Sequence, residues 1–374
     1  MSPFQTLSRR NPFRRYDFRR LIDTRHLLPY DQTETHIICD IDKTYLETNS
    51  EGAIQMIRIA FEEARDKISV AGASPFLIAA RWGNPYVPCQ TPSEFHPRSL
   101  HFVSASPPQL RRTLEDKLIQ DGLDWNSDSF KNQAYNIRKG RLGLLRHHVA
   151  YKTASMLHIM QQATENSQFY LIGDNAEYDA YIYLGISLFL QGTIDCHAYE
   201  KYLCAGGVQT QTAADLRSLM EHKPKARVAG ILIRKAPGFH LPLHPPLTDP
   251  IVMFENYYEA LLVLVKWGLV EAGALPRLSR EFHNHHGFSR ERLISCLQTA
   301  KSSMFRQDFV VQKEINATIS MLDKAGELGR IPDSRCILPA SSLSEWQLSQ
   351  EQMIEHATAW AEKLIQCQSY PVTK

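Results

Sequence analysis

Apolar and polar residues fall in blocks along this chain, and the blocks predict alternating strands and helices. Ile37-Ile38-Cys39 runs straight into Asp40-Ile41-Asp42-Lys43-Thr44. A short apolar run closed by polar residues is the pattern of a strand buried on both faces. Leu100 to Pro107 is a second strand with a polar end, and Phe169-Tyr170-Leu171-Ile172 is a third, followed by Gly173-Asp174. Ile186 to Leu190 is expected as a fourth strand and Arg227 to Arg234 as a fifth. Between them lie helical periodicities at 53–67, from Ser74-Pro75 to Trp82, from Ser106-Pro107-Pro108 to Gln120, and at 151–163. Ser74 and Ser106 are expected as N-caps, each with proline next in the chain. Residues 84–98 read as a loop, and 123–150 show no clear period.

Beyond these, 191–226 reads as an insertion that contains a helix near 212–221. Five prolines between 237 and 250 mark an irregular crossing, and Phe254 to Val270 is an apolar helix. From 277 onward the pattern is helical, with helices over 289–303, 305–323 and 344–367. No internal repeat and no low-complexity stretch is present. The expected organisation is a basic arm over 1–34, an α/β domain over 35–275 with 191–226 inserted, and a helical region over 276–374.

Composition narrows the class. A chain of 374 residues, 43% hydrophobic and 10% aromatic, has ample material for a core. The formal charge of +2 points to no partner. The seven cysteines are scattered and lack metal-ligand spacing, which favours reduced thiols in the cytoplasm. No apolar run is long enough for a membrane span. Arg9-Arg10 is followed by further arginines and not by an apolar segment, which argues against an export signal. In residues 1–34, seven arginines interleave with Phe4, Phe13, Tyr16 and Phe18. Such a segment fits peripheral contact with an anionic membrane or nucleic acid, and it also fits an arm that packs its aromatics and solvates its arginines.

Chemistry gathers at the expected strand ends, where open α/β sheets bind ligands. Asp40 and Asp42, two apart, start out on one face, and two such carboxylates repel unless they share a divalent cation. The second strand brings Ser104, and the third brings Asp174 and Asp179, with Lys152 on the preceding helix. This is the set that an aspartate-nucleophile phosphoryl transferase requires. It needs a nucleophilic carboxylate, a cation to let two anions approach, a hydroxyl and an ammonium for the phosphoryl oxygens, and a second acid for proton transfer. Ser106 reads as a cap in preference to a ligand, and Glu177 as a solvated acid in preference to an aid to the metal. His147 and His148 read as pocket-entrance or surface groups, and His283, His285 and His286 as a polar loop in preference to part of a metal site.

In these motifs the chain resembles the haloacid-dehalogenase-like (HAD) superfamily: Asp40-Ile41-Asp42-Lys43-Thr44, Phe102-Val103-Ser104, Lys152, and Gly173-Asp174 with Asp179. It is closer still to the App1-like phosphatidate phosphatases, whose patterns DIDDT, VPG, YVSNSPWQL and ILIGDSGQxDPEIY are similar to segments here. Those segments are 40–44, Val70-Ala71-Gly72, 102–110 and 171–183, and the similarity covers about 36–235. Lys43 departs from that pattern, standing where the family has an acid. The resemblance implies a Rossmann-like three-layer α/β domain with a central parallel sheet, here with a C-terminal helical extension. It implies Mg²⁺ as cofactor and a phosphorylated lipid or small molecule as substrate. Asp40 would be the nucleophile and Asp42 the general acid and base. Asp40, the Asp42 carbonyl and Asp174 would hold the ion, and Asp179 would orient its waters or Lys152. Ser104, Lys152 and Thr44 would bind the phosphoryl group. The rivals are a phosphatase for nucleic-acid ends or small metabolites and a catalytically idle module that holds a partner.

Overall fold

The computed structural model describes residues 18–29, 33–47, 68–84, 97–132, 148–242, 244–245, 247–323 and 348–369. The helix expected at 53–67 and most of the loop 84–98 lie outside them. So do Arg9, Arg10, Arg14 and Arg15 of the basic segment.

Seven strands form one sheet in the order β1-β4-β3-β2-β5-β6-β7. They are β1 (Ile22–His26), β2 (Thr35–Asp40), β3 (Ser99–Ser104), β4 (Ser127–Lys131), β5 (Ser167–Asp174), β6 (Ala226–Arg234) and β7 (Val252–Phe254). All neighbours are parallel except β1, which runs antiparallel to β4 at one edge. The residues just before β2 thus contribute an edge strand, and Arg25 pairs with Glu115 and Asp128.

β2 is central because its sequence is apolar on both sides. Ile37 and Cys39 face one hydrophobic cluster and Ile38 faces the other. The first cluster packs the sheet against α1 (Ala73–Trp82), α2 (Arg111–Gln120) and α8 (Tyr257–Lys266). Outside these lie α9 (Leu275–His286), α10 (Arg290–Ser303) and α11 (Phe309–Asp323). The second cluster packs it against α3 (His148–Gln161), α4 (Asp179–Gln191), α5 (Cys196–Ala205) and α12 (Gln350–Ser369). Two short helices, α6 (Thr210–Asp215) and α7 (Arg217–Glu221), complete the crossover from β5 to β6. The result is the three-layer Rossmann-like arrangement expected from the sequence. No helix among the described residues is long and apolar enough to cross a membrane.

Several local expectations are corrected. Ile186 to Leu190 is not a strand; it lies in α4, where every residue from Asp179 to Leu190 is buried. A helix enclosed on all sides is apolar all round, so a short window of it shows no helical period. Ser74 does not cap α1. The chain turns at Gly72, which has φ 82°, and the helix begins at Ala73. That glycine is required twice over, because a Cβ there would also lie 2.5 Å from the Phe282 ring. Ser106 makes no cap either; a 3₁₀ turn over Pro108–Leu110 leads into α2. The expected helix 254–270 is shorter, because Val252–Phe254 pairs with β6 and Asn256 then caps α8. The unplaced stretch 123–150 supplies β4. The histidines at 283, 285 and 286 form the last turn of α9 and not a loop, with Gly287 closing the helix.

The sheet also carries a buried histidine pair. His36 of β2 and His101 of β3 stand 3.2 Å apart, nitrogen to nitrogen, and His101 contacts the Ser127 hydroxyl at 2.8 Å. Burial pushes His36 down to about 4 and His101 well below the usual histidine range. Such groups stay neutral in the fold but charge in the unfolded chain. Their stabilisation is therefore present above the ordinary histidine pKa and is lost as pH falls from about 6.5 towards 4. In denaturant titrations at pH 7 and pH 5, wild type should lose about 2 kcal/mol more than His36→Phe. Equal pH dependence in the two proteins would refute this account.

Candidate active site

The functional side chains stand at the carboxyl ends of β2, β3 and β5, and on α3, α4 and the turn after β2. β2 ends at Asp40, whose carboxylate is fully buried. β5 ends at Asp174, and α4 begins five residues later with Asp179, both fully buried. One oxygen from each of Asp40, Asp174 and Asp179 lies within 4.8 Å of the others. Gly173 makes this possible, because a Cβ at that position would overlap the Asp179 carboxylate.

Lys152, on α3, reaches into the acids from the second face of the sheet. Its ammonium hydrogen-bonds Asp179 and stands 2.8 Å from Asp40 Oδ1 and 3.1 Å from Glu177 Oε2. Thr44 Oγ1 donates to Asp174 Oδ2 at 3.1 Å and lies 3.4 Å from Asp40 Oδ2, so it bridges two of the acids. The backbone of Ala176 and of Glu177 donates to Asp174 Oδ1 at 2.6 and 3.3 Å. The Asp174 N–H donates to Asp179 Oδ2 at 3.2 Å.

Asp42 behaves differently from the expectation that it would share a face with Asp40. The strand ends at Asp40, so the alternation rule no longer applies two residues on. The Asp42 carboxylate turns to β3 and accepts from Ser104 Oγ at 2.9 Å and from Ser106 Oγ at 3.4 Å. Ser104 Oγ in turn accepts the Ser106 N–H at 3.0 Å, which explains why Ser106 serves this corner and not the helix. The turn carrying Asp42 to Thr44 is held from outside. Arg234 donates to the Lys43 carbonyl at 2.6 Å, and the Tyr257 hydroxyl donates to the Thr44 carbonyl at 2.7 Å.

Every sequence-predicted residue (Asp40, Asp42, Thr44, Ser104, Lys152, Asp174 and Asp179) therefore reaches one neighbourhood. Three further groups join them; the sequence reading left Glu177 and His148 undecided and passed over Lys131. Glu177 is not solvated; it pairs with Lys152 and with His148, whose Nδ1 is 3.0 Å away. Lys131, at the end of β4, is buried with its ammonium 5.0 Å from the centre of the Tyr151 ring. Burial drops its pKa to about 8, against the pull of Glu177. No motif marks Glu177, His148 or Lys131, and Ser127-Asp128-Ser129-Phe130-Lys131 has no apolar alternation to place Lys131 on a buried strand. Among the described residues, the C-terminal histidines join no metal-ligating group.

Electrostatics show an excess of negative charge. Burial, and repulsion from Asp179 and Glu177, push Asp174 up to about 7. Burial also raises Asp40 well above the usual carboxylate range, with Lys152 opposing and Asp179, Glu177 and Asp174 adding to the rise. Asp179 and Asp42 are raised by burial in the same sense. Burial would also raise Glu177, but His148 and Lys152 outweigh it and hold it well below the usual range. Burial would lower Lys152, but Asp179, Asp40 and Glu177 hold it well above. One ammonium thus faces three buried carboxylates, Asp40, Asp174 and Asp179, and the partly buried Glu177. Asp40 Oδ1 lies near that ammonium but outside hydrogen-bonding alignment. A compact, buried, all-oxygen donor set with surplus negative charge fits a hard divalent cation.

Residues 35–197 match the family described as Phosphatidate phosphatase APP1, catalytic domain, which lies in the HAD-like superfamily. The matched span runs from β2 into the start of α5 and contains all seven predicted site residues. No curated protein and no solved structure gives a match.

Proposed function

With a HAD-like catalytic domain of the APP1 family in residues 35–197, we propose that this protein is a Mg²⁺-dependent phosphomonoesterase acting through an aspartyl phosphate. Phosphatidate or a related anionic phospholipid is the substrate class. The observation that carries this reading is the convergence of Asp40, Asp174, Asp179 and Lys152 at one buried point on the ligand-binding edge of the sheet.

The Asp40 carboxylate attacks phosphorus, and the bond from phosphorus to the ester oxygen breaks. Asp42 gives its proton to the departing oxygen. Its raised pKa suits that role, since a buried carboxyl keeps a proton to donate. A water then attacks the phosphorylated Asp40, Asp42 takes up the water's proton, and inorganic phosphate leaves. Lys152 and the hydroxyls of Ser104 and Thr44 hold the phosphoryl oxygens. Asp179 keeps Lys152 in place. The carboxylates of Asp40, Asp174 and Asp179, with the Asp42 main-chain carbonyl, would hold Mg²⁺. The ion supplies the positive charge that lets two anions meet. We place the enzyme in the cytoplasm, at the membrane surface when its substrate is a lipid.

Two readouts test the metal. A chelator should abolish phosphate release, and added Mg²⁺ should restore it. At about a hundredfold excess over Kd, Mg²⁺ together with beryllofluoride should stabilise the fold by about 2.7 kcal/mol against unfolding. Unchanged melting with the ion and the phosphate mimic would favour a non-catalytic module.

A further inference from the structure

Lys43 is one of two non-glycine residues among those described with positive φ, at 57°. A long side chain pays a strain penalty in that conformation, and such strain persists only where the surroundings impose it. Here Arg234 grips the Lys43 carbonyl from β6 and Tyr257 grips the next one from α8. This backbone conformation carries the ammonium to 4.6 Å from the centre of the Phe239 ring. The Phe239 loop is itself tied to the acid-bearing strand end. Asn175, next after Asp174, donates to the Phe239 carbonyl at 3.1 Å and accepts the Ala236 N–H at 2.7 Å. Pro237, Gly238, Phe239 and His240 are exposed. Lys43, the residue immediately after Asp42, therefore holds its ammonium against an exposed loop at the solvent boundary.

We infer that Lys43 is a specificity-determining residue whose ammonium binds a second anionic group on the substrate's leaving group, close to the ester that is cleaved. The inference rests on the phosphomonoesterase reading above. Asp42 meets the leaving oxygen in that reading, so an anion a few bonds farther along the leaving group reaches the neighbouring residue. Within the proposed lipid class, this favours a phosphomonoester on a headgroup that already carries a phosphodiester, over phosphatidate, whose leaving group is neutral. An ammonium that reads an anion through a charge-assisted hydrogen bond discriminates by about tenfold.

The test compares two soluble esters of the same length, 3-phosphoglycerate and glycerol 3-phosphate, which differ by a carboxylate on the leaving group. The readout is the ratio of their kcat/KM values with the full chain and Mg²⁺. Lys43→Asn removes the charge and keeps a side chain that tolerates positive φ. It should lower the ratio about tenfold, and Lys43→Arg should restore most of it. In wild type, rising salt should lower the ratio as the charge is screened, a measurement that needs no variant. If Lys43→Asn slows both esters equally and the wild-type ratio ignores salt, Lys43 is a backbone feature only and this inference fails. Asp40-dependent release of phosphate from neither these esters nor phosphatidate vesicles would overturn both this inference and the enzyme reading.

Discussion

Asp40→Asn should reduce phosphate release from every accepted ester by about 10⁴-fold or more, equivalent to about 5.5 kcal/mol of transition-state stabilisation. The amide has the size of the carboxylate but cannot form the acyl phosphate. The fold should not suffer. Asp40 is one of three buried carboxylates around Lys152, and its protonation is already favoured by burial. Removing its charge relieves repulsion from Asp174, Asp179 and Glu177. The melting temperature without metal should hold or rise, and stabilisation by Mg²⁺ should shrink because one ligand has weakened. Phosphate release and thermal melting, with and without Mg²⁺, read both effects. Turnover within tenfold of wild type would remove Asp40 from the nucleophile's role.

Lys152→Met should be damaging in the opposite way, because it takes away the cation and leaves the anions. Lys152 is buried and touches Asp40, Glu177 and Asp179 together. Breaking a buried charge group by deleting one member costs about 3–5 kcal/mol. Without the ammonium Asp40, Asp174 and Asp179 move further above their ordinary pKa values. A carboxylate whose folded pKa is raised contributes stability at low pH that is lost as pH climbs through the unfolded and then the folded value. The variant should therefore be weakest near pH 7 without metal and recover part of its stability near pH 5. Mg²⁺ should rescue stability more than in wild type, while catalysis stays low because a phosphoryl ligand is missing. Denaturant titrations at the two pH values would decide it. A Lys152→Met protein as stable as wild type at pH 7 would show that the ammonium does not hold the acids together.

These effects were partly legible in the residues. Ile37-Ile38-Cys39 before Asp40, and Phe169 to Ile172 before Gly173-Asp174, mark buried strands because a parallel strand is apolar on both faces up to its end. β4 was not legible. Its Ser127, Asp128 and Ser129 are buried, but they bond to His101, Arg111 and Ser155, so a polar strand is paid for by partners far along the chain. α4 was misread for the converse reason, being apolar where it meets helices and sheet alike. Ser106 kept its hydroxyl for Asp42 and not for a helix terminus.

Local pattern thus sufficed for the central strands and their polar ends, since each depends on neighbours within a few positions, while the choice of seven candidate site residues rested on the order of the motifs and on the family resemblance. It could not say that the Asp42 carboxylate turns to Ser104 while Asp40 joins Asp174 and Asp179. Nor could it bring Glu177 and His148 to Lys152, or Arg234 to the strained Lys43. Those meetings depend on strand order and on which helix covers which face. Contacts between distant segments arise only when the sheet closes and its two apolar faces are buried.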